Sequence, residues 1–166
     1  MRRKDKEIED PEIIVEILSG SHICRLAMID GDQPYIVPVN YGYHEGALYI
    51  HSARIGRKIN VLKANSKVCF EVELLHEIIP GPHACDFTTR YRSVIGYGHV
   101  ELISDPERIR EGLDIIMQQH GRMTENVYEE RFFARITLLK VHIDEMTGKQ
   151  SGTWEGRNET RATRHA

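Results

Sequence analysis

Apolar residues recur with two different periods along this chain, and the switches between them outline its elements. Ile13, Ile14, Ile17 and Leu18 share one helical face, with Asp10 placed as N-cap, Pro11 at the first helical position and Gly20 at the far end. The period then drops to two: Ile23 to Ile29 reads as a strand, Asp30-Gly31 as a turn, Tyr35 to Tyr41 as a second strand, and Ala47 to His51, after Glu45-Gly46, as a third. These three predict an antiparallel meander. Ile55, Ile59 and Leu62 return to helical spacing over Gly56 to Asn65 and predict one buried stripe. Val68, Phe70, Val72 and Leu74 alternate with Cys69, Glu71 and Glu73 as a strand does, and a Pro/Gly/His loop follows at Ile79 to His83.

The pattern closes with three longer elements. Tyr91 to Ile103 reads as a long strand whose Gly96 and Gly98 share one face, which predicts sharp curvature or a close approach. Ser104-Asp105-Pro106-Glu107 is a helix start, with Ile109, Leu113, Ile116 and Met117 as its apolar face. A last strand is predicted from about Phe132 to Ile143. Six strands in mostly hairpin order with helices between them point to an α+β fold: an antiparallel six-stranded β-barrel with short flanking helices, closed so that no edge is exposed.

Length and charge narrow the function classes. A chain of 166 residues, 40% hydrophobic, supports one core. The organisation read from it is a charged extension over residues 1–10, one domain over 11–150 and a tail over 151–166. With 22 basic against 25 acidic side chains there is no global basic field, so no nucleic-acid partner is expected and anion binding must be local. No apolar run is long enough to cross a bilayer, and Glu16 interrupts the only stretch that follows the basic start, so a cytoplasmic protein without a membrane partner is expected. Cys24, Cys69 and Cys85 form no C-x-x-C pair and read as reduced thiols.

The stretch most informative about chemistry runs from Tyr49 to Lys58, at a strand end leading into a helix start. Unpaired amides at a helix N-terminus, the Ser52 hydroxyl, the Arg57 fork, the Lys58 point charge and the close backbone approach allowed by Gly56 all suit a phosphate, although a merely solvated helix face has the same composition. Pro38 lacks an N–H, so its strand should border something other than another strand. The backbone through Val37, Pro38, Val39 and Asn40 is suited to a planar heterocycle, or else forms a guarded edge.

Three runs in this order and spacing, Tyr35-Ile-Val-Pro-Val-Asn-Tyr41, Leu48-Tyr-Ile-His-Ser52 followed by Gly56-Arg-Lys58, and Tyr91-Arg-Ser-Val-Ile-Gly-Tyr-Gly98, resemble the FMN-binding split-barrel proteins related to pyridoxamine 5′-phosphate oxidase. The resemblance covers roughly Pro11 to Lys149 and is closer to the 5-nitroimidazole-resistance, or flavin-nucleotide-binding, branch. It implies a split barrel in which Ser52, Arg57 and Lys58 hold the FMN phosphate and Val37 to Asn40 lie along the isoalloxazine ring. It also implies a homodimer with the cofactor at its interface, where Ser93, Lys149 or Trp154 reaches across. The Arg-x-His motif with which the oxidases hold pyridoxamine phosphate is not reproduced, since Arg164 and His165 are adjacent. Reduction of a nitroaromatic small molecule is the activity the branch implies, with His51 beside the flavin as proton source and Tyr41 as the second candidate.

Two other readings remain open at this level. Haem needs a single axial histidine, for which His51, His99 and His142 are available; a non-catalytic flavin-binding or storage module needs no further residue at all. A metal site is not expected, because His83-Ala84-Cys85 with His76 nearby supplies no second ligand pair.

Overall fold

The computed structural model describes residues 2–122 and 124–154. In chain order it comprises β1 (Glu7–Ile8), α1 (Pro11–Gly20), β2 (Ile23–Asp30), β3 (Gln33–Asn40), β4 (Gly42–His44), β5 (Ala47–Ala53), α2 (Arg57–Ala64), β6 (Lys67–Ile79), β7 (Thr88–Ile103), α3 (Pro106–Gln119), α4 (Glu130–Phe133) and β8 (Ile136–Ser151). Local chemistry accounts for the helix starts. The Asp10 carboxylate accepts from the Glu12 amide at 2.9 Å and Asp105 accepts from the Arg108 amide at 3.0 Å, each followed by a proline that has no amide to leave unpaired. The buried faces of α1 and α3 are Ile13, Ile17 and Leu18, and Ile109, Leu113 and Ile116.

The fold is α+β and mostly antiparallel, but the sheet has eight strands rather than six and is not closed. Its order is β3-β2-β6-β7-β8-β5-β4, with β1 added on β8, so β3 and β4 are its two ends. The expected meander does not form: among the described residues β3 pairs with β2 alone, while β5 pairs with β4 and with β8. Two prolines account for the stop at β3. The hairpin closes on Asp30 and Gln33, which makes Pro34 and Pro38 partners of Ile29 and Arg25 in the pairs that exchange no hydrogen bonds. The nitrogens of Pro34, Ile36, Pro38 and Asn40 therefore aim at the open edge, and two of the four carry no hydrogen, so no further strand can be laddered there.

Two other expectations need correction. The last strand begins at Ile136 and not at Phe132, because Phe132 and Phe133 lie in α4, where Phe133 is buried with Ile109, Leu113 and Ile116 in a satellite core. Ile55 is not part of a buried stripe; it is 84% exposed, one residue before the glycine cap of α2, while Ile59, Val61 and Leu62 do the burying.

Gly96 and Gly98 have the close approach their spacing predicts. A Cβ at Gly96 would lie 2.3 Å from the Phe70 ring, and one at Gly98 would lie 2.1 Å from the His142 carbonyl, beside a register shift against β8. Parts of the N-terminal extension and the C-terminal tail are tied down: Glu7 and Ile8 pair with Lys149 and Gly148, and Trp154 stacks on the Arg92 guanidinium at 4.1 Å. Residues 155–166, which include Arg164 and His165, lie outside the described residues. Among those described, no helix is long and apolar enough to cross a membrane.

Candidate functional site: the cleft between β3 and β5

The free edge of β3 forms one wall of a cleft of about 410 Å³ lined by Ile23, Pro38, Val39, Asn40 and His51. The prolines decide what this wall offers. Carbonyls face outward at residues 34, 36, 38 and 40, but only Ile36 and Asn40 present amides, giving a sparse set of polar contacts along a strand of apolar side chains. Val37 and Val39 turn the other way and pack against the core.

His51 of β5 supplies the opposite side, and β5 leads into the start of α2. Strand alternation turns Leu48, Ile50 and Ser52 inward, where they are buried, and leaves His51 exposed toward the cleft. The Ser52 hydroxyl makes no hydrogen bond among the described residues. α2 starts without a side-chain cap, because its N-cap is Gly56 at φ +125°, a conformation that L side chains rarely adopt; open space surrounds that position. The amides of Arg57, Lys58 and Ile59 thus begin a helix with no carbonyl behind them and with the positive end of the helix dipole at their back.

The two cations at this helix start are held differently. Arg57 is engaged, its Nε donating to Asp30 Oδ2 at 2.7 Å and its guanidinium lying 4.3 Å from the Tyr35 ring centroid. Lys58 is half-buried and makes no hydrogen bond or ion pair among the described residues, and burial lowers its pKa from the ordinary lysine value. Tyr35 and Asn40 are separated by five residue steps of β3, roughly 17 Å along the strand. One end of the groove holds Arg57, and the other holds His51.

His51 is held below the usual imidazole range, first by burial and then by the charges of Lys58 and His120. His120 is lowered as well, by burial and by His22, whose ring centroid is 4.9 Å away. Gln119 fixes this corner: its amide nitrogen donates to the Leu18 and Ser21 carbonyls at 3.1 and 2.5 Å, and its oxygen accepts from the Tyr43 amide at 2.7 Å. Asp30, His22, His120 and Gln119 were missed in the sequence as parts of this region, because they come from β2, the turn before it and the end of α3 and only the fold brings them together; Tyr35 lies in the run that ends at Tyr41, but its stacking against Arg57 was not foreseen.

Two expected site residues are not brought to the cleft of their own chain, Tyr41 and also Ser93, which was expected to reach across from a second copy. Tyr41 is fully buried, its hydroxyl donates to the Leu18 carbonyl at 2.5 Å, and burial pushes its pKa well above the usual phenol range. Ser93 lies on β7, paired with Glu73 and Lys149, three strands across the sheet from β3 and so roughly 14 Å from its edge. Of the histidines considered as haem ligands, His99 and His142 stack at 5.0 Å and bond to Asp144 and Glu101, whereas the His51 ring bonds to no described residue. No group of three His, Cys, Asp or Glu side chains among the described residues can hold a metal ion.

Residues 10–150 match the family model described as pyridoxamine 5′-phosphate oxidase. The chain is similar to a candidate 5-nitroimidazole antibiotic resistance protein from Bacteroides thetaiotaomicron VPI-5482, with 34% identity and a TM-score of 0.78 over 87% of this chain and 86% of that one. The flavocytochrome Anf3 of Azotobacter vinelandii superposes with a TM-score of 0.80 at 20% identity, over 96% of this chain and 75% of that one. A protein from Mycobacterium smegmatis that binds FAD and haem also has a TM-score of 0.80 at 20% identity, over 92% and 77%. At that identity these last two show a shared fold. A curated protein from Rhizobium meliloti (strain 1021) is 36% identical over 56 residues, a match that spans 34% of this chain and 36% of that protein's length.

Proposed function

The chain belongs to the pyridoxamine 5′-phosphate oxidase family, and on that premise we propose that it binds FMN in the cleft between β3 and β5 and uses it as an oxidoreductase toward small nitroaromatic compounds. The observation that carries this reading is Lys58: a half-buried cation without a partner among the described residues, at an uncapped helix N-terminus, within electrostatic reach of His51. A cation in that position costs free energy unless an anion completes it.

The residues present fit a flavin mononucleotide. Lys58, Arg57, the Ser52 hydroxyl and the first-turn amides of α2 suit a dianionic phosphate, and the Ile36 and Asn40 amides with the outward carbonyls of β3 suit the polar rim of a planar heterocycle. A flavin held there supplies electrons in pairs to an organic acceptor. Lys58 and Arg57 bind and orient, the β3 wall excludes water, and His51 delivers a proton from its ring nitrogen to the reduced acceptor. Nitroaromatic compounds are favoured as acceptors by the likeness to the Bacteroides protein.

A homodimer with the cofactor at the interface is part of the same proposal. The outward face of the sheet is apolar and exposed at Ile36, Ile95 and Tyr97, its central charges cancel in an Arg25–Glu71 ion pair at 2.8 Å, and it runs into the cleft at Ile23 and Pro38. Ser93 and Lys149 lie on this face, so a second copy is what would carry them to a cleft. Haem is the second reading, favoured by one observation, the unbonded His51 ring. Extraction of bound small molecules followed by mass measurement, together with an absorption spectrum, tests both. FMN with a blue-absorbing, fluorescent spectrum is the expected result; an intense Soret band, or no affinity for added FMN, overturns it.

A further inference from the structure

His51 walls a second cavity as well, of about 630 Å³, between α3 and the segment that leads through α4 to β8. Its size is that of small-molecule sites, and its lining is mainly apolar, with Leu113, Ile116 and Met117 from α3 facing Tyr128 and Phe132. One charge stands in it uncompensated. Arg131 pairs with Glu129, and Arg110 lies 4.9 Å from the Phe133 ring centroid, but the Arg135 guanidinium makes no hydrogen bond or ion pair among the described residues.

The backbone that carries Arg135 is pinned. Its amide donates to the Phe132 carbonyl at 3.0 Å and its carbonyl accepts from the Arg54 amide at 3.3 Å, while the Arg54 guanidinium donates to the carbonyls of Phe133 and Ile136 at 3.0 and 2.8 Å. An apolar slot with one anchored, unpaired cation at its wall is complementary to a flat apolar body bearing one negative charge.

We propose that this cavity is a second ligand site that takes a small aromatic monoanion, its ring between α3 and Phe132 and its acid group on Arg135, with His51 as the wall shared with the β3 cleft. The assignment deepens the flavin reading and rests on it for the consequence that the occupant is the electron acceptor; occupancy itself does not depend on flavin. It also selects among nitroaromatics, preferring those that carry a carboxylate.

The probes are 4-nitrobenzoate and neutral nitrobenzene, titrated calorimetrically into the full chain with and without FMN. Arg135→Ala should weaken 4-nitrobenzoate about tenfold, the loss of one charge-assisted hydrogen bond, and change nitrobenzene less than about twofold. Met117→Trp, which fills the slot from a half-buried position, should weaken both while FMN affinity stays unchanged. Equal binding of 4-nitrobenzoate to wild type and both variants, or equal loss of charged and neutral probes in Arg135→Ala, overturns the site. If FMN binds and the probe pattern fails, the second site falls and the flavin reading stands; if the pattern holds and FMN does not bind, the reverse is true.

Discussion

Arg57 and Lys58 are neighbours in the chain, yet the two ends of the β3 groove treat them in opposite ways. Arg57 sits in an exposed grip, ion-paired with Asp30 and laid over Tyr35, and any phosphate must share it with a carboxylate. Lys58 is half-buried, has no hydrogen-bond or ion-pair partner among the described residues and lies within electrostatic reach of His51, so its charge is costly without an anion. One end is preorganised at the expense of competition, and the other is frustrated and gains the most on binding.

Replacing both cations, Arg57→Ala with Lys58→Met, should reduce FMN affinity about a thousandfold or more, the sum of two charge-assisted contacts, as read by flavin fluorescence quenching. Yellow, fully loaded protein from this variant would refute the site. His51→Ala should keep its flavin and lose about a hundredfold in turnover of a nitroaromatic, measured under anaerobic conditions with chemically reduced FMN; unchanged turnover removes His51 from the reaction. Taken singly, Lys58→Met should cost roughly a hundredfold in FMN affinity and Arg57→Ala about tenfold, because only Arg57 has a standing partner to give up. Asp30→Asn reverses the sign: freeing Arg57 of its competitor should tighten FMN by about two- to fivefold, most visibly at low salt.

The smallest effect is on stability. His51 and His120 are both lowered below the unfolded imidazole value, so below about pH 6.5 the unfolded chain takes up protons that the folded chain refuses. Stability is therefore full above that pH and falls as the pH drops toward the lowered values. Melting temperatures between pH 7.5 and 5.5 should show this fall, and His51→Gln should shrink it.

What could be read in advance was local. The caps at Asp10 and Asp105, the Asp30-Gly31 turn and the crowding at Gly96 and Gly98 are decided within a few residues, and the structure repeats them. Strand partners are decided elsewhere: β5 takes β8 as its neighbour across more than eighty residues, and no periodicity in Ala47 to His51 announces that. Phe132 and Phe133 read as strand because apolar pairs serve either period, and only the satellite core around α3 makes them helical. The site divides along the same line. Ser52, Gly56, Arg57 and Lys58 were visible at one strand–helix junction, whereas the grip of Asp30 and the pressure of His22 and His120 arrive from β2, the turn before it and the end of α3. Tyr41 had the right chemistry in the right run and the wrong parity, which placed it in the core.

Pro34 and Pro38 leave the rim of β3 able to donate at two positions in four. A rim that cannot complete a ladder cannot seed stacking between molecules in concentrated solution, so the same missing amides guard against fibril growth. Restoring both amides, with Pro34→Val and Pro38→Val, would favour self-adhesion and, on the proposed reading, weaken cofactor binding, so colloidal behaviour in the test tube would then report on ligand chemistry.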